Sequence, residues 1–189
     1  MIKSWDYRSE YKDLKKDILT SINKVLKSGN LFFGNELIKF EKNFLKTNNS
    51  KYGVAVASGT DAIYLSLKAL DIGVNDEVIT VSNTAIPTIS AIKNTGATVK
   101  FIDTRHDYLM DPDKLEKAIS KKTKVIIPVH LYGQSCEMGK ILEIANRYKI
   151  KVVEDCAQAQ GATYKKKKVG TMGITGCFSF YPTKILGAY

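Results

Sequence analysis

From residue 52 onward the chain alternates short, almost continuously apolar stretches with segments of helical period. Few folds accommodate that rhythm. Strands are predicted at residues 52–57, 77–81, 98–102, 124–129 and 151–154, with a short last one near 177–180. Between them the apolar residues recur at helical spacing over 60–70, 86–95, 111–119 and 137–148. A β-α-β-α order calls for a mostly parallel sheet with helices on both faces. The strand candidates show little polar alternation, as expected when both faces of a sheet are covered. The predicted fold class is therefore α/β, in three layers ordered α/β/α. Two amphipathic helices precede the alternation. Residues 10–28 carry Leu14, Ile18, Ile22, Val25 and Leu26 on one stripe, closed by Gly29, and residues 34–47 carry Leu37, Phe40, Phe44 and Leu45. No repeat or low-complexity linker interrupts the run, so residues 1–189 are expected to form one domain without an internal boundary.

Composition narrows the function classes. The formal charge of +10 favours anionic partners such as phosphates and nucleotides. It is spread along the chain, and its densest run, Lys165 to Lys168, lies where a turn is expected and reads as a solvated hairpin or loop. No aromatic residues interleave with that run, so nucleic-acid binding is not expected. No apolar run approaches the roughly 20 residues that span a bilayer, and the first residues lack an apolar signal core. A cytoplasmic protein is expected. Cys136, Cys156 and Cys177 are odd in number and lack C-x-x-C spacing, which reads as reduced thiols. With His106 and His130 the only histidines, no metal site is expected.

In parallel sheets, ligands bind beyond the carboxyl ends of the strands. Three motifs are predicted at such ends. Ser58-Gly59-Thr60-Asp61 opens a helix, where glycine admits an anion and free amides face it; the same four residues also make a good helix cap. Asp155 ends a buried-looking strand, where a carboxylate needs a cation or donors; a structural, helix-capping acid is the plainer reading. Glu154 is expected to point to the opposite side of that strand. Lys184 follows the last strand amid Phe178, Phe180 and Tyr181, with Ser179 on the same segment, whereas the plain reading is a surface lysine. Together the three offer an amine, a carboxylate and a hydroxyl. Pyridoxal phosphate chemistry needs that set: an imine to the amine, a carboxylate on the pyridinium nitrogen and a hydroxyl on the phosphate. Neither a Walker loop nor a G-x-G-x-x-G fingerprint is present.

The order S-G-T-D, V-I-T-V-S-N-T-A-I-P-T, P-V-H-L-Y-G-Q, V-V-E-D-C-A-Q-A-Q-G and C-F-S-F-Y-P-T-K-I-L-G-A-Y resembles the sugar-nucleotide aminotransferases of the DegT/StrS type. The resemblance runs from the region of Ser28 and Phe40 to Tyr189. It implies the pyridoxal-phosphate-binding large domain of an aspartate-aminotransferase-like fold. It implies Lys184 as the residue that bonds the cofactor and shuttles a proton, Asp155 on the ring nitrogen and Gln158 near the ring. Gly59, Thr60 and Ser179 would hold the phosphate. Related sugar dehydratases carry histidine where this chain has Lys184, so lysine points to amino transfer. The implied partners are an amino-acid donor (glutamate) and a nucleotide-linked keto sugar, with polysaccharide or amino-sugar biosynthesis as the setting and a homodimer as the full-length assembly. Ala85 stands where members often place an aromatic residue over the ring. His130 and Tyr132 belong to the family pattern, with a packed core role expected for the histidine.

Family members of this type are about twice as long. The chain is therefore expected to be a fragment, lacking an antiparallel strand of the sheet and a smaller C-terminal domain, poorly stable and inactive by itself. The competing function class is a non-catalytic cofactor- or ligand-binding, regulatory protein on the same scaffold. An unrelated nucleotide-binding α/β domain is a third reading.

Overall fold

A computed structural model describes residues 6–188. The chain divides into two compact units, Met1–Thr47 and Asn48–Tyr189. In the first, α1 (Tyr7–Ser28) starts on the Asp6 carboxylate, which accepts the Arg8 amide at 3.2 Å, and ends on Gly29 in the left-handed region. An ion pair of 2.6 Å between Lys24 and Glu36 ties α1 to the first turn of α2 (Asn35–Asn48). No residue of α1 is buried, and Leu14, Leu19, Ile22 and Leu26 of its apolar side are exposed.

The second unit holds the predicted alternation. Its strands are β1 (Glu77–Val81), β2 (Thr98–Ile102), β3 (Thr123–Ile126), β4 (Lys151–Asp155), β5 (Thr163–Tyr164), β6 (Lys167–Lys168) and β7 (Thr175–Cys177). Its helices are α3 (Gly59–Lys68), α4 (Ile86–Asn94), α5 (Pro112–Ala118) and α6 (Met138–Arg147). Among the described residues, five strands form one sheet in the order β2-β1-β3-β4-β7, every pairing parallel. Alternate residues of each strand feed different cores. Ile79, Ile126 and Val152 pack with Leu115 of α5 and Met138 and Ile141 of α6. Val78, Val125 and Val153 pack with Ile63 and Leu67 of α3 and Ala91 and Ile92 of α4. The sheet is thus buried on both faces, which explains the unbroken apolar runs. Burying these side chains supplies the main favourable term, on the order of 25 cal/mol per Å² of apolar surface.

One predicted strand is absent. Residues 52–57 carry no regular structure, and Tyr52 and Val54 are each 79% exposed. An apolar alternation becomes a strand only when a neighbour supplies its hydrogen-bond ladder, and no described strand pairs there. The lysine run does form a hairpin. β5 and β6 pair antiparallel across Lys165 and Lys166, both at positive φ (47° and 69°), as a two-residue turn of right-handed strand twist requires.

Candidate functional site

Because the sheet is all parallel, the segments after β1, β4 and β7 emerge on one edge. β4 and β7 are neighbours, with Asp155 opposite Cys177, and the Cys156 amide donates to the Cys177 carbonyl at 2.8 Å. β7 lies close against the loop before it: a Cβ on Gly176 would sit 2.3 Å from the Cα of Gly170. Only glycine permits that approach. The segment leaving β7 therefore starts beside the end of the acid-bearing strand. It then folds back on itself, the Lys184 amide donating to the Tyr181 carbonyl and the Ala188 amide to the Phe180 carbonyl, each at 2.8 Å. Lys184 is half-buried on this loop.

The opening of α3 meets the same segment. Ser58 caps the helix by accepting the Asp61 amide at 3.0 Å. The Gly59 and Thr60 amides are then among the first N–H groups of the helix, which have no partner within it. A Cβ on Gly59 would lie 2.9 Å from Cβ of Ser179 and 3.4 Å from its Oγ. Gly59 and Ser179 are thus in close approach at the N-terminal end of α3, with Thr60 next along the helix. Gln158 lies in the turn after β4, and its carbonyl accepts the Gly133 amide at 2.9 Å. Six residues singled out in the sequence (Gly59, Thr60, Asp155, Gln158, Ser179 and Lys184) accordingly lie on segments meeting at this edge. Ala85, half a turn before Pro87 on α4, is exposed at the same edge.

The two acids at the end of β4 face opposite ways, as the period of a strand demands. Asp155 is 3% exposed and lies on the α4 side. Its Oδ2 accepts the Thr88 hydroxyl at 2.7 Å and its Oδ1 accepts the Ala157 amide at 3.1 Å. Burial pushes its pKa up; the Thr88 and Ala157 hydrogen bonds pull the other way without cancelling that push.

Glu154 is fully buried on the other face. Its Oε1 accepts the Met172 and Gly173 amides at 2.7 and 2.6 Å, and its Oε2 accepts the Gly170 amide at 2.9 Å and lies 3.0 Å from His130 Nε2. The Cys136 amide donates to Nδ1 of the same ring at 3.0 Å, which leaves Nε2 to carry the proton toward Glu154. Burial pushes the Glu154 carboxyl up, yet its bonds to His130, Gly173 and Gly170 hold it below the usual range. The histidine is the buried core residue expected, with a partner that the sequence did not disclose. Ligand atoms of His130, Glu154 and Cys156 lie within 4.8 Å of one another, but both ring nitrogens are already engaged. The three cysteines are free and buried, and burial pushes Cys136 and Cys177 up to about 12.

Thr88 is a member of this edge that nothing in the sequence singles out. Its signal was positional only: it sits in the first turn of the helix after β1, hence at the ligand-binding edge, and at 1% exposure it must spend its hydroxyl on the protein.

A buried acid, a lysine and a helix N-terminus on segments at one edge of a parallel sheet are the arrangement of an α/β cofactor-binding class. The comparisons with known proteins make this specific: residues 12–189 match the DegT/DnrJ/EryC1/StrS aminotransferase family, and the chain belongs to it. It is 47% identical over 186 residues to a dTDP-3-amino-3,4,6-trideoxy-alpha-D-glucose transaminase of Micromonospora megalomicea subsp. nigra, covering 98% of this chain and 50% of that one. Among solved structures it is similar to Streptomyces venezuelae DesV in complex with a ketimine intermediate, with a TM-score of 0.92, 39% identity, and coverage of 97% of this chain and 50% of that one. It is also similar to the PLP-form of the sugar aminotransferase Spr1654 from Streptococcus pneumoniae, with a TM-score of 0.85, 32% identity, and coverage of 88% and 47%. The chain spans about half the length of the curated relatives it matches. Among the described residues, no helix is long and apolar enough to cross a membrane.

Proposed function

We propose that this chain carries the cofactor-holding part of a pyridoxal-phosphate-dependent aminotransferase. The enzyme moves an amino group from glutamate to a keto group on a nucleotide-linked sugar. The observation that carries the reading is Asp155. It is a buried carboxylate with two neutral donors and, among the described residues, no hydrogen-bonded cation, which is costly unless a cation completes it. A protonated pyridine nitrogen is such a cation, and the rest of the edge fits the remaining parts of the cofactor. The Gly59–Ser179 approach leaves the α3 amides and the Ser179 hydroxyl at one point, suited to a phosphate dianion. Lys184 stands on the adjoining loop as the covalent holder.

When bound, the cofactor supplies an electron sink for cleavage of a bond at the amino-bearing carbon. The chain's own residues do the rest. Asp155 holds the ring nitrogen by charge. Gly59, Thr60 and Ser179 fix the phosphate and so the orientation of the ring. Gln158 flanks the ring from the turn after β4. Lys184 Nζ would take the proton from the amino-bearing carbon of the donor and return it to the cofactor carbon that carries the nitrogen. The three buried free thiols support work in the reducing cytoplasm, and the family supports a homodimer for the full-length enzyme.

The test is direct. Full-length protein loaded with pyridoxal phosphate is given glutamate and then a nucleotide-linked 3-keto sugar, and products are read by mass spectrometry. The reading requires 2-oxoglutarate and an amino sugar nucleotide, both abolished in Lys184→Ala. Cofactor binding without amino transfer in the full-length protein would favour the non-catalytic class.

A further inference from the structure

We infer that Thr88, backed by Thr84, is a positioning residue that keeps the Asp155 carboxylate ionised and locked in one orientation at the ligand-binding edge. The inference rests on the cofactor reading for its purpose, but its geometry does not. Thr88 Oγ1 lies 2.7 Å from Asp155 Oδ2 and 2.8 Å from Thr84 Oγ1. A hydroxyl has one proton. Against an ionised carboxylate, which only accepts, Thr88 must spend that proton on Asp155. The Thr84 hydroxyl must then donate to Thr88. The chain Thr84 → Thr88 → Asp155 therefore has a fixed direction only while Asp155 is charged, and a polarised chain strengthens each bond in it. The Ala157 amide occupies the other carboxylate oxygen at 3.1 Å, so the two donors together define one rotamer.

The backbone supports the role. Ala85 caps α4 with no side-chain hydrogen bond, and Pro87 lies in its first turn. Thr84 and Thr88, one turn apart, flank that start, and the Thr88 amide donates to the Ala85 carbonyl at 3.2 Å. The hydroxyls are thus presented by a rigid helix start to a strand 67 residues further along the chain. Burial opposes the charge that Asp155 needs, and a desolvated carboxylate with one donor fewer would more readily take a proton and cease to attract a cationic ring nitrogen. The other titratable groups that interact with Asp155 are His130, four residues after β3, Lys184 after β7, Cys177 on β7 and Cys156 just after β4, while Glu154 turns to the opposite face. Thr88→Val leaves all of them in place and is nearly isosteric.

The experiment titrates the aspartate carboxyls by carbon-13 NMR without cofactor, with Asp155 identified by its loss in Asp155→Asn, and then measures pyridoxal phosphate affinity and attachment to Lys184. In Thr88→Val the Asp155 titration moves to higher pH. Thr88→Ser, which keeps the hydroxyl, titrates like the parent and also controls for folding. Thr84→Val moves it less. At neutral pH the affinity for pyridoxal phosphate falls roughly tenfold or more in Thr88→Val, the weight of one hydrogen bond to a charged group, and Thr88→Ser restores it. An unmoved titration in Thr88→Val overturns the inference, as does a moved titration with parental cofactor affinity. If the parent protein takes no cofactor on Lys184 while Thr88→Val still shifts Asp155, the cofactor reading fails and the ionisation relay stands.

Discussion

Two carboxylates sit side by side at the end of β4 and have been given opposite environments. On one face Glu154 accepts four hydrogen bonds, three from the backbone of 170–173 and one from His130. On the other, Asp155 accepts two, from Thr88 and Ala157. Both are buried. Glu154 is complete within the protein, and its task is to fold the 170–173 loop back so that β7 and the lysine segment begin beside β4. Asp155 has two neutral donors and less charge compensation, which is what the proposed cofactor contact would supply. On the proposed reading, one strand divides its labour by face: architecture at Glu154, cofactor at Asp155.

That contrast can be broken most forcefully at Glu154. Glu154→Gln puts an N–H group among four donors, and urea denaturation of the protein without cofactor should show a loss of about 3 kcal/mol. Next comes His130→Leu, which strands the Cys136 amide and removes one donor to Glu154; about 2 kcal/mol is expected by the same measurement. Asp155→Asn should behave differently. Stability without cofactor should stay within about 1 kcal/mol of the parent, because a buried charge and a hydrogen bond are lost together, while affinity for pyridoxal phosphate collapses. If Asp155→Asn unfolds the protein as badly as Glu154→Gln, the division of labour is wrong.

The smallest and most diagnostic effect is pH dependence. Glu154 has a lowered pKa, so the stability it contributes is present above the unfolded glutamate value of about 4.3 and is lost as pH falls through its folded value. Asp155 has a raised pKa, so its contribution is full below the unfolded aspartate value of about 3.9 and is lost as pH rises through its folded value. Thermal melts across this range should show Glu154→Gln erasing part of the acid-side loss and Asp155→Asn erasing part of the loss on the rising side. Matching difference curves for the two variants would contradict the contrast.

How much of this could be read from residues alone follows from what each feature depends on. β1 and β2 were predicted at their observed bounds because continuous apolar runs between turns are a local signal. The period of two placed Glu154 and Asp155 on opposite faces before any coordinates. Residues 52–57 misled because a strand is a relation to a neighbour, and apolar alternation says nothing of whether the neighbour is present. The partners of Glu154 were illegible because three of them are backbone amides, which every residue but proline carries. Thr88 was illegible because a threonine in the first turn of a helix looks the same whether it faces water or a buried acid far along the chain. The Lys184 amine and the Asp155 carboxylate stand out in the sequence as residue types; the Thr88 hydroxyl and the Ala157 amide that bond Asp155 do not.

The account's central claim is that the amine at 184 and the acid at 155 serve one bound cofactor. Pyridoxal phosphate binding followed by borohydride reduction and peptide mapping tests it most directly. The account predicts a single pyridoxyl mass on the peptide containing Lys184, sharply reduced in Asp155→Asn and absent in Lys184→Ala. Label scattered over the exposed lysines, or label on Lys184 that is indifferent to Asp155→Asn, would contradict it.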